Sequence, residues 1–547
     1  MKRIVSLLGA LIMAFSFVVV SCAEKVATMS NEPITSFKVF FGNSEVEGII
    51  DHSVSVIQLP GIKNGNLINE VSYTLTNGVT LYPDPNTFVG QWKPEMRIIA
   101  RFDSKVKNYT IVLSDYEEPS GGVVRLDPRQ KAQKIEFIGG DMERSQGFLQ
   151  QAANPEEIAQ WCFGDINFDI CRVSYDKKQE MNKGEKHPEF YDNPIKSMQL
   201  LKKINPEIKF WATLKSDYNG YDHENNLPEW IYNSQTKAWN GFAYAHFLKD
   251  YLILMDKNGV HIDYMSVSKE WVQVINEERE IYVIKELNKA CKNNKITPPL
   301  YVGPASWGIS QGVSFINQVS QKKGTELYYG FCTHNYGSDG KNYAYEKFVE
   351  AANSVNKPAF LDEEGPGFPG RTNGQDSETM DGICGSYCRR AEFWKDGIKG
   401  ELIFELFSRG VNSETRTIYF TKGSEGKRMR SYYVMKEYVN GIAGKGMYYV
   451  PFTSEGLNVG IGKDMSLMAF ANDDEMFVAV INTKDEIKKD LSIVMPDNFS
   501  TLSVERTVFE ITLSAEGVKD NLDPRTSTIS LDLPAKSITF LNIRLKE

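Results

Sequence analysis

Hydrophobic and polar positions change their rhythm twice along the chain. From 34 to 118 they alternate in short runs, "ITSFKVFFG", "VSVIQLP", "VSYTLTNGVTLYP", "RIIARF" and "KNYTIVLSD", a period of two that predicts β-strands. Asn77-Gly78 is a hairpin signal between two of them. So many short strands in ~85 residues predict an immunoglobulin-like β-sandwich with nothing catalytic in it, a spacer or accessory domain. After a linker at 115–122, "DYEEPSGG", apolar strand-like runs alternate with helical stretches as far as 440. The strands expected are "KIEFIGG" (134–140), "FDICRVSYD" (168–176), "IKFWATLK" (208–215), "IDYMSVSKE" (262–270), "LYVGPAS" (300–306), "LYYGFCTHNY" (327–336), "PAFLDEEG" (358–365) and "GELIFELFS" (400–408). A typical intervening helix is "YAHFLKDYLILMDKNG", whose apolar residues recur every three or four positions and which stops at Gly259.

Alternating strands and helices predict a parallel α/β domain, and eight units make a (β/α)8 barrel, a TIM barrel, over 130–440 the best count. A doubly wound sheet is second, without a G-x-G-x-x-G or phosphate loop to support it. The tail, 445–547, returns to strands and predicts a C-terminal β-sandwich, into which 123–129 ("VVRLDPR") is expected to pair.

The first 22 residues do not belong to this pattern. "MKRIVSLLGALIMAFSFVVVSC" has a basic start, an apolar run and a terminal Val-Val-Ser-Cys, the make-up of a signal peptide. It resembles a bacterial lipoprotein signal, which implies cleavage before Cys22, lipidation of that thiol and anchorage at the outer membrane, on the cell surface or its periplasmic face. Residues 23–33 then read as a polar tether. No other segment reaches the ~20 apolar residues that a bilayer span requires.

With 547 residues, the chain exceeds what a single core organises. The formal charge of −9, with no basic run longer than "KRMR" (427–430), argues against nucleic acid. Aromatic residues, 12% of the total, suit both sugar stacking and large cores. Six cysteines follow Cys22, none at zinc-site spacing, and are expected as buried free thiols with room for one bridge. The six histidines form no H-E-x-x-H cluster, so neither a metal nor a cofactor is expected. A monomer is expected.

A barrel carries its chemistry at the C-terminal ends of its strands. Those ends offer Asp141, Glu143, Arg172, Asp176, Lys215, Asp217, Lys269, Glu270, Trp307, His334, Tyr336, Glu363, Glu364, Glu405 and Arg409. Carboxylates, aromatics and arginine dominate. Cleaving a glycosidic bond takes two carboxyl groups, one to protonate the leaving oxygen and one to attack the anomeric carbon or activate water. Glu270 and Glu363, ending the fourth and seventh strands, are the candidate pair.

"IDYMSVSKEW" resembles the strand-four segment of glycoside hydrolase family 30, a pattern close to Tyr-Ile-Ser-Val-Gln-Asn-Glu-Pro. Tyr264, Ser266, Val267 and Glu270 match; Lys269 and Trp271 stand where that pattern has Asn and Pro. "VVRLDPRQKAQKIEFIGG", "FCTHNYG", "FLDEEG" and "LPAKSITFLNI" resemble the family's barrel entry, strand-six His-x-Tyr, strand-seven Glu-x-Gly and closing sandwich strands, so the likeness runs over 123–547. It implies a retaining β-glycosidase, with Glu363 as nucleophile and Glu270 as acid/base, the carboxyl groups ~5–5.5 Å apart. It also implies that Arg172 keeps Glu363 ionised, that Tyr336 donates to Glu363 and that His334 lines the sugar site.

Glu364 is the alternative nucleophile. Since successive strand residues face opposite ways, one of the Glu363–Glu364 pair points at the sugar, and the Glu-x-Gly spacing favours Glu363. Lys269 is expected to bind an acidic substrate group, to be neutralised by a carboxylate such as Glu405, or to turn away along the rim. Strand eight, "IFELFSRG", lacks the family's tryptophan, and Trp211, Trp230, Trp271 and Trp307 are candidate sugar platforms. The substrate expected is a β-linked glycan or an acidic variant of one. Agarase- or porphyranase-type enzymes and an inactive glycan-binding lipoprotein are the alternatives.

Overall fold

The computed structural model describes residues 32–63, 66–92, 96–102, 105–115, 121–215, 226–270, 274–336, 344–364, 378–408, 417–496, 500–522 and 527–546. The signal segment with Cys22, together with Asp217, Trp271 and Arg409, lies outside the described residues. The chain divides into two compact units, Met1–Tyr116 and Glu117–Glu547.

The first unit is all β. Ile34–Phe41 lies between Ser44–Glu47 and Glu70–Leu75 in one sheet. A second sheet runs Ile49–Asp51, Val56–Leu59, Lys105–Leu113, Met96–Phe102, Thr80–Tyr82. Their inner faces bury Phe37, Val39, Ile57, Trp92, Ile98, Tyr109 and Ile111. Asn77-Gly78 does form a turn, with Gly78 at φ +82°. The expected hairpin does not follow: Glu70–Leu75 pairs with Ile34–Phe41, whereas Thr80–Tyr82 pairs with Met96–Phe102. The turn carries the chain from one sheet to the other.

The second unit holds a closed barrel of eight parallel strands: β1 (Phe137–Asp141), β2 (Ile170–Tyr175), β3 (Lys209–Leu214), β4 (Tyr264–Met265), β5 (Leu300–Ser306), β6 (Tyr328–His334), β7 (Ala359–Glu364) and β8 (Gly400–Ile403). The strands are apolar because both of their faces are covered, by the barrel interior on one side and by helices on the other. The helices are α1 (Pro155–Phe163), α2 (Asp192–Ile204), α3 (Gly241–Lys257), α4 (Glu277–Asn294), α5 (Ile309–Gln321), α6 (Tyr345–Ser354), α7 (Met380–Lys395) and α8 (Arg430–Ile442). Asn240 caps α3 by accepting from the Ala243 amide, and α3 gives way to Gly259, at φ +72°, three positions before the apolar run leading into β4. Phe137, Trp211, Tyr264, Val302, Cys332, Phe360 and Leu402 fill the barrel interior. No described helix is long and apolar enough to cross a membrane. All six described cysteines are buried and unbridged.

Two further sheets follow the barrel. One runs Phe452–Glu455, Val123–Leu126, Lys488–Val494, Thr528–Leu533; the other is six-stranded around Glu475–Asn482 and Ser537–Lys546. Val124, Leu467, Val478, Leu491, Ile493, Leu531 and Leu541 form the core between them. The outer face of the six-stranded sheet packs on the barrel, with Phe470 edge-on to Trp394 at 5.7 Å and Phe540 near Tyr387 at 6.1 Å. Gly441 of α8 lies so close to this sheet that a Cβ there would sit 2.4 Å from the Phe477 ring. Gly441→Ala is therefore expected to cost about 1–3 kcal/mol by overpacking, measured by urea unfolding. An unchanged midpoint would show that the ring moves aside freely.

Candidate active site

Strand β4 keeps ladder partners only at Tyr264 and Met265. Beyond them the Ser266 amide still donates to the Ala212 carbonyl of β3 at 2.9 Å, and the rest of the chain is held by side chains and by β5. The Glu270 amide donates to the Ala305 carbonyl at 2.6 Å, and the Trp307 amide donates to the Glu270 carbonyl at 3.2 Å. Between these bonds Glu270 adopts φ +59°. A left-handed non-glycine residue costs about 1–3 kcal/mol and persists only where its surroundings enforce it. Here they direct a 6% exposed carboxyl into the barrel mouth.

Glu363 arrives by a different device. Strand β7 pairs Leu361 with Thr333 and Glu363 with His334, so Asp362 is an extra residue in the ladder. On the other side, Leu361 and Glu364 pair with Glu401 and Ile403, three steps against two. This bulge interrupts strict alternation. Asp362 and Glu363 both turn inward, and Glu364 turns out to ion-pair with Arg389 of α7 at 2.7 Å. Glu364, the alternative nucleophile, is thus held on the far side of the strand by a buried arginine.

Inside the mouth, one oxygen of Glu270, one of Glu363 and a ring nitrogen of His334 lie within 4.8 Å of one another. His334 Nδ1 is 2.7 Å from Glu363 Oε2 and 3.5 Å from Glu270 Oε1, while Nε2 is 3.4 Å from Asp362. Arg172 Nη1 lies 2.6 Å from Asp141 and 3.5 Å from Glu363 Oε1. Lys269 Nζ lies 3.1 Å from Glu143 Oε2 and 3.9 Å from Glu363 Oε1. Lys215 closes on the other Glu143 oxygen at 3.5 Å.

Burial by itself would raise the Glu363 carboxyl, but His334, Lys269 and Arg172 together hold it well below the usual carboxylate range. The same opposition acts on His334: burial lowers its imidazole, and Glu363 and Asp362 raise it well above its ordinary value. Glu143 is held down at about 2 because Lys215, Lys269, Arg172 and Arg144 outweigh burial. The mouth therefore contains an ionised carboxylate at Glu363 beside an imidazolium, with a second carboxyl across from it.

Lys269 is not neutralised by Glu405, nor does it turn away along the rim. Its partners are Glu143 and Glu363. Tyr336 makes no hydrogen bond to Glu363; its ring stands edge-on to His334 at 5.4 Å and 5.0 Å from the Trp307 ring. Trp307 and Tyr336, both half-buried, form an aromatic wall beside the carboxyl pair. Trp211 is a correction: it is fully buried in the barrel interior, donating to Ser266 Oγ at 2.9 Å, and offers no face to a ligand. Trp230 packs on Phe247 and donates to the Glu180 carbonyl. Asp362 and the structural roles of Asp141 and Glu143 went unrecognised in the sequence; the sign available was a run of three acids, "DEE", inside a strand apolar enough to be buried.

Glu270, His334 and Glu363 are also the one group among the described residues with the spacing of a metal site. Their setting suits a cation poorly. Arg172 and Lys269 already face Glu363, and a metal would have to displace the proton that Asp362 and Glu363 stabilise on His334.

The barrel with its C-terminal sheets has the fold of the family 30 glycoside hydrolases. The catalytic domain of xylanase C from Talaromyces cellulolyticus superposes with a TM-score of 0.60 at 12% identity, covering 77% of this chain and 99% of its own. A family 30 endoxylanase from Clostridium papyrosolvens gives 0.56 at 16% identity, covering 77% and 99%. An endo-β1,6-glucanase gives 0.56 at 15%, covering 82% and 97%. A family model described as "Domain of unknown function (DUF4971)" matches residues 1–128. No curated protein matches the sequence.

The depressed carboxyls Glu143 and Glu363 bind fewer protons folded than unfolded. Their contribution to stability is complete above the unfolded value of ~4.3 and is lost as pH falls through their folded values. Lys269→Met removes a cation from both, so the variant should melt lower than the wild type at pH 6 and lose less of its melting temperature between pH 6 and pH 2. Superimposable melting curves from pH 6 to pH 2 would contradict the charge arrangement.

Proposed function

We propose that this protein is a retaining β-glycosidase, anchored to the outer membrane through lipidated Cys22, that cuts a β-linked polysaccharide or oligosaccharide. The observation that carries the proposal is that one oxygen of Glu270 and one of Glu363 lie within 4.8 Å of each other, with His334 close to both. Inverting enzymes need roughly 6.5–9.5 Å to admit a water, whereas retaining ones place their carboxyls roughly 5–5.5 Å apart. Solved relatives in fold that are named for xylan and β-1,6-glucan cleavage support a β-linked backbone, with endo-action, as the substrate class.

In this reading the sugar lies against the Trp307–Tyr336 wall. Glu363, ionised by its three cations, attacks the anomeric carbon as Glu270 protonates the departing oxygen. The glycosyl ester on Glu363 is then cleaved by a water that gives its proton to Glu270 and attacks the same carbon from the opposite face. Two inversions leave the anomeric configuration unchanged. Glu363 needs no water at its back, which agrees with Arg172 and Lys269 filling that space. Lys269 departs from the family pattern without opposing the chemistry, because its charge is shared between Glu143 and Glu363. That arrangement speaks against an inactive glycan-binding lipoprotein. It also removes the need for an acidic substrate, so agarase- and porphyranase-type specificity has no observation in its favour here.

On a panel of β-glycans, Glu363→Gln is expected to abolish sugar release while leaving binding intact. Glu270→Gln should slow release by about 10²–10⁴-fold, and least for aryl glycosides whose leaving group needs no proton. If wild type and both variants bind a glycan and none releases sugar, the proposal fails.

A further inference from the structure

Beneath the turn that carries Glu270 lies a buried carboxyl that the two-step chemistry does not use. Glu280, in the first turn of α4, is 1% exposed. Its Oε2 is 2.6 Å from Ser268 Oγ, two residues before Glu270. The same Ser268 Oγ is 2.9 Å from the Pro304 carbonyl of β5. The carboxyl is packed so closely that a Cβ on Gly303 would lie 2.3 Å from Glu280 Oε1.

A serine hydroxyl has one proton to donate. Both contacts are hydrogen bonds only when Glu280 carries a proton, donates it to Ser268 Oγ and leaves Ser268 to donate to Pro304. The preceding carbonyls are served by tyrosines. Tyr175 donates to Ser266 at 2.9 Å and Tyr244 to Val267 at 2.7 Å, with the two hydroxyls 3.0 Å apart. These bonds hold the strand past the end of its ladder, and the next link in the series is Glu270 itself, bonded to Ala305.

We propose that Glu280 is a positioning residue for the acid/base: as a neutral acid it closes a buried hydrogen-bond chain that clamps the end of β4 to β5 and keeps Glu270 left-handed. The inference rests on the glycosidase reading. The surroundings favour the neutral form. Burial is the largest influence and, with Glu277 of the same helix adding to it, raises the carboxyl to about 7 against the opposing influence of the Ser268 hydroxyl and of Tyr328 on β6. Tyr175 and Tyr244 also feel its charge, and none of these groups is a cation. When Glu280 ionises it becomes an acceptor only, Ser268 turns its proton to it, and the Pro304 link opens.

The test is Glu280→Gln in the full chain, since an amide can donate to Ser268 at every pH. On the glycan that wild type cuts, the variant should keep near-wild-type kcat at pH 5.5, and the alkaline limb of its pH profile should move up by about one pH unit or more. Ser268→Ala, which breaks the chain while leaving the Glu280 carboxyl in place, should lower kcat about tenfold or more with KM nearly unchanged. A second readout needs no activity. A carboxyl raised in the folded state favours folding fully below its unfolded value and loses that contribution as pH rises through about 7. Wild-type melting temperature should therefore fall between pH 5 and pH 8 more steeply than that of Glu280→Gln. Superimposable alkaline limbs, or equal melting slopes, would overturn the proposal. If wild type releases no sugar at any pH, the glycosidase reading fails, and the melting slopes still decide whether Glu280 is neutral.

Discussion

Everything at the barrel mouth depends on keeping one carboxylate, Glu363, charged in a place nearly sealed from water. An isolated ion there would take up a proton, because burial disfavours the charged form by several kcal/mol. Three cations from three strand ends prevent this: Arg172 from β2, Lys269 beyond β4 and His334 from β6. Each cation needs counter-charges of its own, which Asp141, Glu143 and Asp362 supply. The network accounts for so many fully buried charged side chains at one end of an otherwise apolar barrel.

The network also separates the duties of the two carboxyls. Arg172 and Lys269 approach Oε1 of Glu363, while His334 approaches Oε2 and also lies 3.5 Å from Glu270. A nucleophile wants cations close by, and Glu363 has three of them. In the proposed reaction these cations fit Glu363 to be the nucleophile, and the lysine that stands where the family pattern has asparagine is one of them.

Much of the fold could be read from the rhythm of apolar residues. The barrel was legible because strands covered on both faces are unbroken apolar runs separated by helices, and the rim residues followed from where those runs end. The likeness to family 30 extended this to the C-terminal sheets. What escaped was local. Alternation along β7 could separate Glu363 from Glu364 but could not reveal that a bulge brings Asp362 inward as well. The fourth strand, expected over 262–270, has ladder partners at 264–265 and a single bridge at Glu270, and nothing in its composition shows that tyrosines and a buried acid fill the gap. Trp211 illustrates the commonest error: an aromatic residue in a strand suits a sugar site and a barrel core equally, and only the direction of its side chain decides. Likewise Lys269 lies next to Glu270 in sequence, yet its long stem carries the charge to Glu143 and Glu363.

In the proposed reaction, two carboxyls this close leave room for attack by Glu363 itself and none for a water between it and the sugar. Proton NMR of the first reducing ends released from a β-glycan, followed before mutarotation, tests this most directly. The β-anomer should appear first and convert slowly to the equilibrium mixture. Initial release of the α-anomer would mean a single inversion and would contradict the account.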